Sequence, residues 1–466
     1  MPWLGEVPKH WDFRRAKYFF RESDDRSTTG EEELLSVSHL TGVTPRSTKN
    51  INMFMAESNV GYKVCRPNDV VINTMWAWMA ALGVARQWGI ASPSYAVYRP
   101  LPGVGLEPTY VDRLLRTPAY ASEYLCASTG VNTSRLRLYP ERFLTIPILR
   151  PPAVEQAAIV RFLNHVDRRI RRYISAKRKL IRLLEEQKRA IIDHVVARGL
   201  DPSVRLRPSS VEWLGDVPED WQVVRLKALA SRVTSGSRGW SDFAADSGAL
   251  FIRIGNLTRA SIDLDLENIV RLRLPAHVLG EAARTRVQCD DVLLSITAFI
   301  GSVAVVPPGL EEAYVSQHVA CCRLWERCAN PRWVAWVLLS RVGQTHGQLS
   351  MYGGTKQGLS LDDVKNHVVL LPPRDLQDRL VEWIELKSER LSAGIGSTKQ
   401  EIALLREYRT RLIADVVTGK LDVREAAARL PEEAGESEPI DVVEAAGDAG
   451  DPDVDDADEV LEEAEA

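Results

Sequence analysis

The sequence predicts an α/β (α+β) protein. Two domains of mixed strands and helices are joined by two long helices, paired as an antiparallel coiled coil about a pseudo-two-fold axis. Three observations predict this. The run Trp3-Leu4-Gly5-Glu6-Val7-Pro8 with Trp11 returns as Trp213-Leu214-Gly215-Asp216-Val217-Pro218 with Trp221, a shift of 210 residues. Pro151-Pro152, Gln156, Val195-Val196 and Leu200-Asp201 return as Pro372-Pro373, Gln377, Val416-Val417 and Leu421-Asp422, a shift of 221. After each Pro-Pro pair, apolar residues recur at steps of three and four, close to a heptad rhythm. A two-fold repeat of this length exceeds any solenoid unit and suits a molecule with two similar tasks at two places.

The elements follow in order: a first domain over 1–150, a long helix over 151–200, a linker and second domain over 201–371, a second long helix over 372–425, and an acidic tail over 426–466. The first helix carries its stripe on Ile159, Leu163, Val166, Ile170, Ile174, Lys177, Ile181, Leu184, Gln187, Ile191 and Val195. Adding 221 gives Leu380, Ile384, Lys387, Leu391, Ile395, Thr398, Ile402, Leu405, Tyr408, Leu412 and Val416. The expected interface is Ile159, Leu163, Ile170, Ile181, Leu184 and Ile191 against Leu380, Ile384, Leu391, Ile402, Leu405 and Leu412. At 1.5 Å per residue each helix spans roughly 67 Å. Gly199 and Gly419 follow the helices as stop signals. Gly394 and Gly396 predict a bend or looser packing in the second helix.

The variable blocks, 12–150 and 222–371, do not align simply. Strand candidates are Asp69–Asn73 and Ser92–Tyr98 in the first, and Phe251–Ile254, Val292–Ile296, Gly301–Val306 and Val315–Leu324 in the second. Both blocks share a plan: an Asp before an apolar strand, a glycine-containing turn, then a Ser-containing strand.

Composition narrows the classes. The chain has 466 residues, 45% hydrophobic, enough for at least two globular cores. No apolar run suggests a signal peptide or a membrane span. The six cysteines show neither metal-ligand nor disulfide spacing, and Cys321-Cys322 reads as core in a strand, so a reducing cytoplasm is expected. The net charge of -4 conceals an asymmetry: from Pro431 onward there are 16 Asp or Glu and no Lys or Arg. The remainder carries 59 basic against 47 acidic residues. A basic body is compatible with nucleic acid. The tail reads as disordered and solubilising.

Phosphate-loop, HExxH, Cys-x-x-Cys and Asn-Pro-Pro-aromatic motifs are absent, and no metal is predicted. His318 reads as a core histidine. Asp290-Asp291 and Asp362-Asp363 read as turn or capping residues. The chain is therefore expected to be no enzyme. Loops mixing cations, amides, glycine and aromatics are the candidate DNA contacts: Arg46, Lys49, Asn50, Trp76, Arg238, Trp240, Arg253, Asn256, Lys356 and Gln357.

The Trp-Leu-Gly-acid-Val-Pro-x-x-Trp opening, the Pro-Pro-x-x-x-Gln helix start, the Val-Val-x-x-x-Leu-Asp helix end and Gly358-Leu359-Ser360 ahead of Pro372-Pro373 together resemble the specificity subunit of type I DNA restriction-modification enzymes. The resemblance covers residues 1 to about 425. It implies that each variable block is a target recognition domain reading one half of a split double-stranded DNA site. It implies that the coiled coil sets the gap, and that two methyltransferase subunits dock on this scaffold and methylate one adenine in each half-site. Restriction subunits join to translocate and cut. S-adenosylmethionine, ATP and magnesium belong to those partners, and this chain binds no cofactor. The second motif copy has Pro208–Glu212 ahead of it, so the resemblance also predicts a few residues before the first copy. The alternatives are a standalone DNA-binding regulator, a coiled-coil scaffold binding proteins, and a cryptic nuclease.

Overall fold

In the computed structural model the described residues are 3–48, 58–130, 136–350 and 358–431. They divide into two units. The first holds the residues up to Arg178 and those from Gln400, and the second holds Lys179–Lys399. Each long helix therefore gives one half to each unit. Residues 432–466, and so nearly all of the tail, lie outside the described residues.

In the first unit, Asp12–Arg15 pairs antiparallel with Pro147–Arg150 and closes the block at its base. Between them lies an antiparallel four-stranded sheet in the order Phe20–Ser23, Tyr95–Pro100, Val70–Asn73, Leu82–Val84. In the second unit, Gln222–Arg225 pairs with Val368–Leu371. The sheet there runs Ala230–Ser235, Val319–Leu324, Val292–Ser295, Val303–Val305, also antiparallel. The two sheets have the same strand order. Their additions differ. The first unit adds two strand pairs, Leu35–Ser38 with Gly42–Pro45 and Lys63–Cys65 with Gly89–Ala91. The second adds a whole four-stranded sheet, in which Ala249–Ile252 lies parallel to Ala313–Val315.

Three devices explain why unlike sequences reach one frame. The first is the Asp before the apolar strand. Asp69 accepts the Arg66 N–H at 2.9 Å and the Arg99 guanidinium at 3.2 Å. Asp291 accepts the Gln288 N–H and the Arg323 guanidinium, both at 2.7 Å. Both carboxylates are buried, so each must be paired to be tolerated there. Each follows a left-handed residue, Asn68 at φ 75° and Asp290 at φ 67°, a conformation that Asn and Asp tolerate.

The second device is the glutamine of Pro-Pro-x-x-x-Gln. Gln156 donates to the Pro151 carbonyl at 2.8 Å and accepts the Glu107 N–H at 2.7 Å. Gln377 does the same with Pro372 and Asn330, both at 2.8 Å. Glu107 and Asn330 are the N-caps of Pro108–Leu115 and Pro331–Leu339. One buried amide thus ties the long helix to the start of a neighbouring one.

The third is the glycine that ends each helix, in the left-handed region only glycine adopts freely. Gly199 (φ 77°) lies against Trp221, and Gly419 (φ 79°) against Pro8 and Trp11. Each Trp-Leu-Gly motif therefore packs on the end of the long helix that precedes it in the repeat. For the first motif that is the second helix, through the first unit's core of Leu4, Trp11, Val416 and Val417.

The long helices span Ala153–Arg198 and Arg374–Val417. They run in opposite directions where they meet in the first unit. Asp167 pairs with Arg409, and ten residues on Lys177 pairs with Glu401. In the second unit Leu184 faces Gly394 at 3.8 Å from an ideal Cβ, and Lys188 donates to Ser392 at 2.7 Å. The expected stripe is partly redistributed. Ile159, Leu163 and Leu412 join the first unit's core, and Leu380 and Ile384 join the second's. Ile170 and Ile402 are buried; Ile181, Leu184, Ile191, Leu391 and Leu405 are half-buried. The expected polar steps Gln187 and Tyr408 face solvent, and Lys188 and Arg409, one residue on, take their places. A step of four from Leu184 carries the seam to Lys188 and then Ile192. The second helix runs unbroken through Gly394 and Gly396.

Two strand expectations are corrected. Phe251–Ile254 is Ala249–Ile252, followed by a tight turn at Ile254–Asn256. Val315–Leu324 is two strands in different sheets, Ala313–Val315 and Val319–Leu324, because Val319 N–H bonds Ser316 O at 3.1 Å and turns the chain between them. His318 sits in that turn, half-buried, 2.9 Å from the Thr297 hydroxyl. Cys321 and Cys322 are buried in the strand as expected. Asp363 and Ser360 form the capping box of Leu361–Lys365.

Candidate nucleic-acid interface

The strand after each buried Asp ends in a loop, and the loops present an aromatic ring in both units. Strand Val70–Asn73 runs into a turn fixed by the Trp76 N–H on Asn73 O at 3.0 Å and by the Thr74 hydroxyl on Ser94 O at 3.0 Å. The turn leaves Trp76 49% exposed, stacked on Trp78 with centroids 6.4 Å apart. Strand Val292–Ser295 runs into a turn fixed by the Ser295 hydroxyl on Phe299 O at 2.6 Å. It leaves Phe299 57% exposed, at φ 53°. In each loop an arginine contacts the residue next to the ring-bearing one. Arg137 reaches Met75 Sδ at 3.9 Å, and Arg259 donates to Ile300 O at 2.5 Å.

A second strand of chain joins each loop. Leu138 N–H bonds Thr74 O at 2.9 Å, and Leu359 N–H bonds Ile296 O at 2.8 Å. Leu138 and Leu359 are 221 residues apart, the helix shift of the repeat. Each follows a polar run outside the described residues, 131–135 and 351–357. Lys356 and Gln357 fall in the second run, and Lys49 and Asn50 in the stretch 49–57, so these four also lie outside the described residues.

The other candidates separate. Arg46 is half-buried in a short turn, and Arg238 is exposed between Gly236 and Gly239. Gly236 needs its missing side chain: an ideal Cβ there would stand 1.9 Å from Val315 O. Trp240 and Asn256 are corrections. Trp240 is 2% exposed and packs edge-on to Tyr314 at 5.6 Å. Asn256 is 4% exposed; its amide accepts the Arg253 N–H and donates to Asp265 O, both at 2.9 Å. Both residues build the loop from within, since burial there satisfies their hydrogen-bonding and packing needs. Arg253 is half-buried beside them.

Phe299 and Arg259 escaped the reading of the sequence. The signal for Phe299 is the repeat itself: a shift of 222 carries Asn73 onto Ser295 and Trp76 into the Phe299 loop. That shift is visible only once Asp69 and Asp291 are recognised as equivalent. An exposed ring with an adjacent guanidinium can stack on a base or an apolar edge while the cation meets a phosphate. Among the described residues no three His, Cys, Asp or Glu side chains gather to hold a metal, and no helix is long and apolar enough to cross a membrane.

No protein-family model matches the chain. It is 21% identical over 286 residues to the type I restriction enzyme MjaVIII specificity subunit of Methanocaldococcus jannaschii, a match over 60% of this chain and 64% of that relative. The chain thus spans under two thirds of that relative's length. Among solved structures it resembles a chain from a study of complex assembly and conformational transition of the type I R-M system. The TM-score is 0.64 at 17% identity, over 89% of this chain and all of that one. The HsdS subunit from Thermoanaerobacter tengcongensis gives a TM-score of 0.46 at 16% identity, over 89% of this chain and 98% of that one. The resemblance read from the motifs is borne out by the specificity-subunit relative, and this chain shares the mixed helix-and-strand fold of the type I system chain.

Proposed function

We propose that this chain is the specificity subunit of a type I DNA restriction-modification complex. It is non-catalytic, and each variable block reads one half of a split double-stranded DNA target. The observation that carries the reading is the duplicated frame: one strand order, one buried Asp–Arg clasp and one aromatic loop per unit, with different decoration around each. The long helices act as an antiparallel coiled coil that sets the gap between half-sites. Two methyltransferase subunits dock on the scaffold, and restriction subunits join them in the cytoplasm. S-adenosylmethionine, ATP and magnesium serve those partners.

Of the sequence candidates, Arg46, Trp76, Arg238 and Arg253 are retained as DNA contacts together with Lys49, Asn50, Lys356 and Gln357. Phe299, Arg259 and Arg137 are added. Two recognition units on one spacer multiply affinity when the spacing matches.

Exchanging residues 12–150 for the block of another specificity subunit tests the reading. The recognised sequence should change in one half-site only; a change in both would refute modular recognition. Inserting one heptad into the first helix alone should damage activity, whereas matched insertions in both helices should lengthen the recognised gap. An unchanged gap after matched insertion would sink the spacer role.

A further inference from the structure

We propose that Lys188 and the segment 258–263 hold the Phe299 loop to the long helices, which makes Lys188 a positioning residue for the second unit's exposed ring. The attachment stands on contacts within the second unit. Its consequence for DNA reading rests on the function proposed above.

Lys188 is 7% exposed. A buried ammonium is costly, and an apolar side chain of similar length would pack the helix pair at least as well. Its contacts lead out of that pair. Besides Ser392 Oγ at 2.7 Å, it donates to Ala260 O at 2.5 Å. The counterpart in the repeat, Arg409, pairs with Asp167 on the other helix. Ala260 is an exposed residue of the second block, so the bond anchors a surface turn to the first helix. The second helix holds the same segment by its other end: Arg332 bridges Asp263, at 2.9 Å, and Glu385. Between the two anchors Ile262 is buried in the core, and its carbonyl accepts the Val305 N–H at 2.8 Å. Segment 258–263 is thus fixed to both long helices and to the sheet.

That position is passed to the ring. Arg259, next to Ala260, donates to Ile300 O at 2.5 Å. Ile300 follows Phe299, whose φ of 53° is one that a bulky residue keeps only where its surroundings impose it. The Ser295 hydroxyl and the Ser302 N–H, both bonding Phe299 O, impose it from one side, and Arg259 from the other. In the first unit the Trp76 loop is held from Ser94 and Leu138, within its own block. The second ring is therefore placed by the spacer as well as by its block.

Hydrogen exchange in the full chain, read by mass spectrometry, tests the attachment. Lys188→Met keeps the stem and removes the donor. Exchange over 258–263 and 296–302 should rise about fivefold, with strand Val319–Leu324 unchanged. The urea midpoint should be unchanged or raised, since a buried cation has gone. Ser392→Ala removes the lysine's other partner and should leave both segments as they were. Arg259→Ala should loosen 296–302 alone. Unchanged exchange at 296–302 in Lys188→Met would overturn the proposal. So would a rise spread over the whole second unit with a lowered urea midpoint, since the lysine would then serve general packing. With a cognate methyltransferase co-expressed, methylation of sites mismatched in the half-site assigned to 222–371 by block exchange should rise about tenfold relative to matched sites in Lys188→Met. The other half-site should stay as strict as before. Equal loss of fidelity in both halves would overturn the positioning role. If the unaltered chain gives no split motif, the function proposed above fails, and the exchange data still decide the attachment.

Discussion

The two units share a frame and differ in what it carries. In both, a buried carboxylate clasps an arginine across the sheet: Asp69 with Arg99, Asp291 with Arg323. In both, a glutamine in the first turn of the long helix bonds its own Pro-Pro pair and fixes the helix start. The first unit surrounds that frame with two short strand pairs, and the second with a complete extra sheet. Polar detail in the helix pair differs as well. Arg409 of the first unit meets Asp167, while its counterpart Lys188 donates to neutral oxygens, Ser392 Oγ at 2.7 Å and Ala260 O at 2.5 Å. Burial holds the Lys188 ammonium below the usual lysine range. The frame is what packing and buried charge demand twice, and the decoration is where two different surfaces were built.

The largest expected effect tests the shared part. Asp69→Ala and Asp291→Ala each remove a buried carboxylate from a turn N–H and from a guanidinium, of which Arg99 keeps its bond to Asp25, so each should cost about 3 kcal/mol. Urea unfolding measures this. A cost near zero in one unit would show that the clasps are not equivalent.

A smaller effect should separate the units. Gly199→Ala and Gly419→Ala both force a non-glycine residue to φ near 80°, worth about 1 kcal/mol. An added Cβ at Gly419 would stand 2.4 Å from Pro8 Cδ, but at Gly199 it would be 3.4 Å from Trp221. Gly419→Ala should therefore lower the unfolding midpoint more. Equal shifts would mean that Pro8 yields freely.

The smallest effect concerns pH. His346 and His367 lie 4.7 Å apart in the second unit. Burial, then the neighbouring His367, lowers His346 to about 4, and burial lowers His367 as well. The fold favours their neutral forms, so their stability is present above pH 6.5 and is lost as pH falls from there towards 4. The first unit has Ile146 where His367 stands by the repeat. The second unit should loosen first on acidification, read by hydrogen exchange, and replacing both histidines with leucine should flatten the response. Earlier loosening of the first unit would contradict it.

Much of the frame was legible because it follows periodicity and punctuation. The long helices, the Pro-Pro starts, the glycine ends and the Asp-before-strand plan all obey local rules. What escaped were consequences of tertiary contact. The helix seam shifts from Gln187 to Lys188 because partner side chains, rather than ideal heptads, choose the register. Trp240 reads as a surface aromatic in a Gly-Ser-Arg loop, yet Tyr314 lies ready to cover it. Phe299 was hidden because no local signal marks it. Only the equivalence of the two sheets does.

The most direct test of the two-half-site claim is to co-express the chain with a cognate methyltransferase subunit and map methylated adenines genome-wide by single-molecule sequencing. The account predicts methylation at one split motif with a fixed gap, one adenine in each half. An intact, soluble complex that leaves no new methylation, or that marks a single uninterrupted motif, would contradict it.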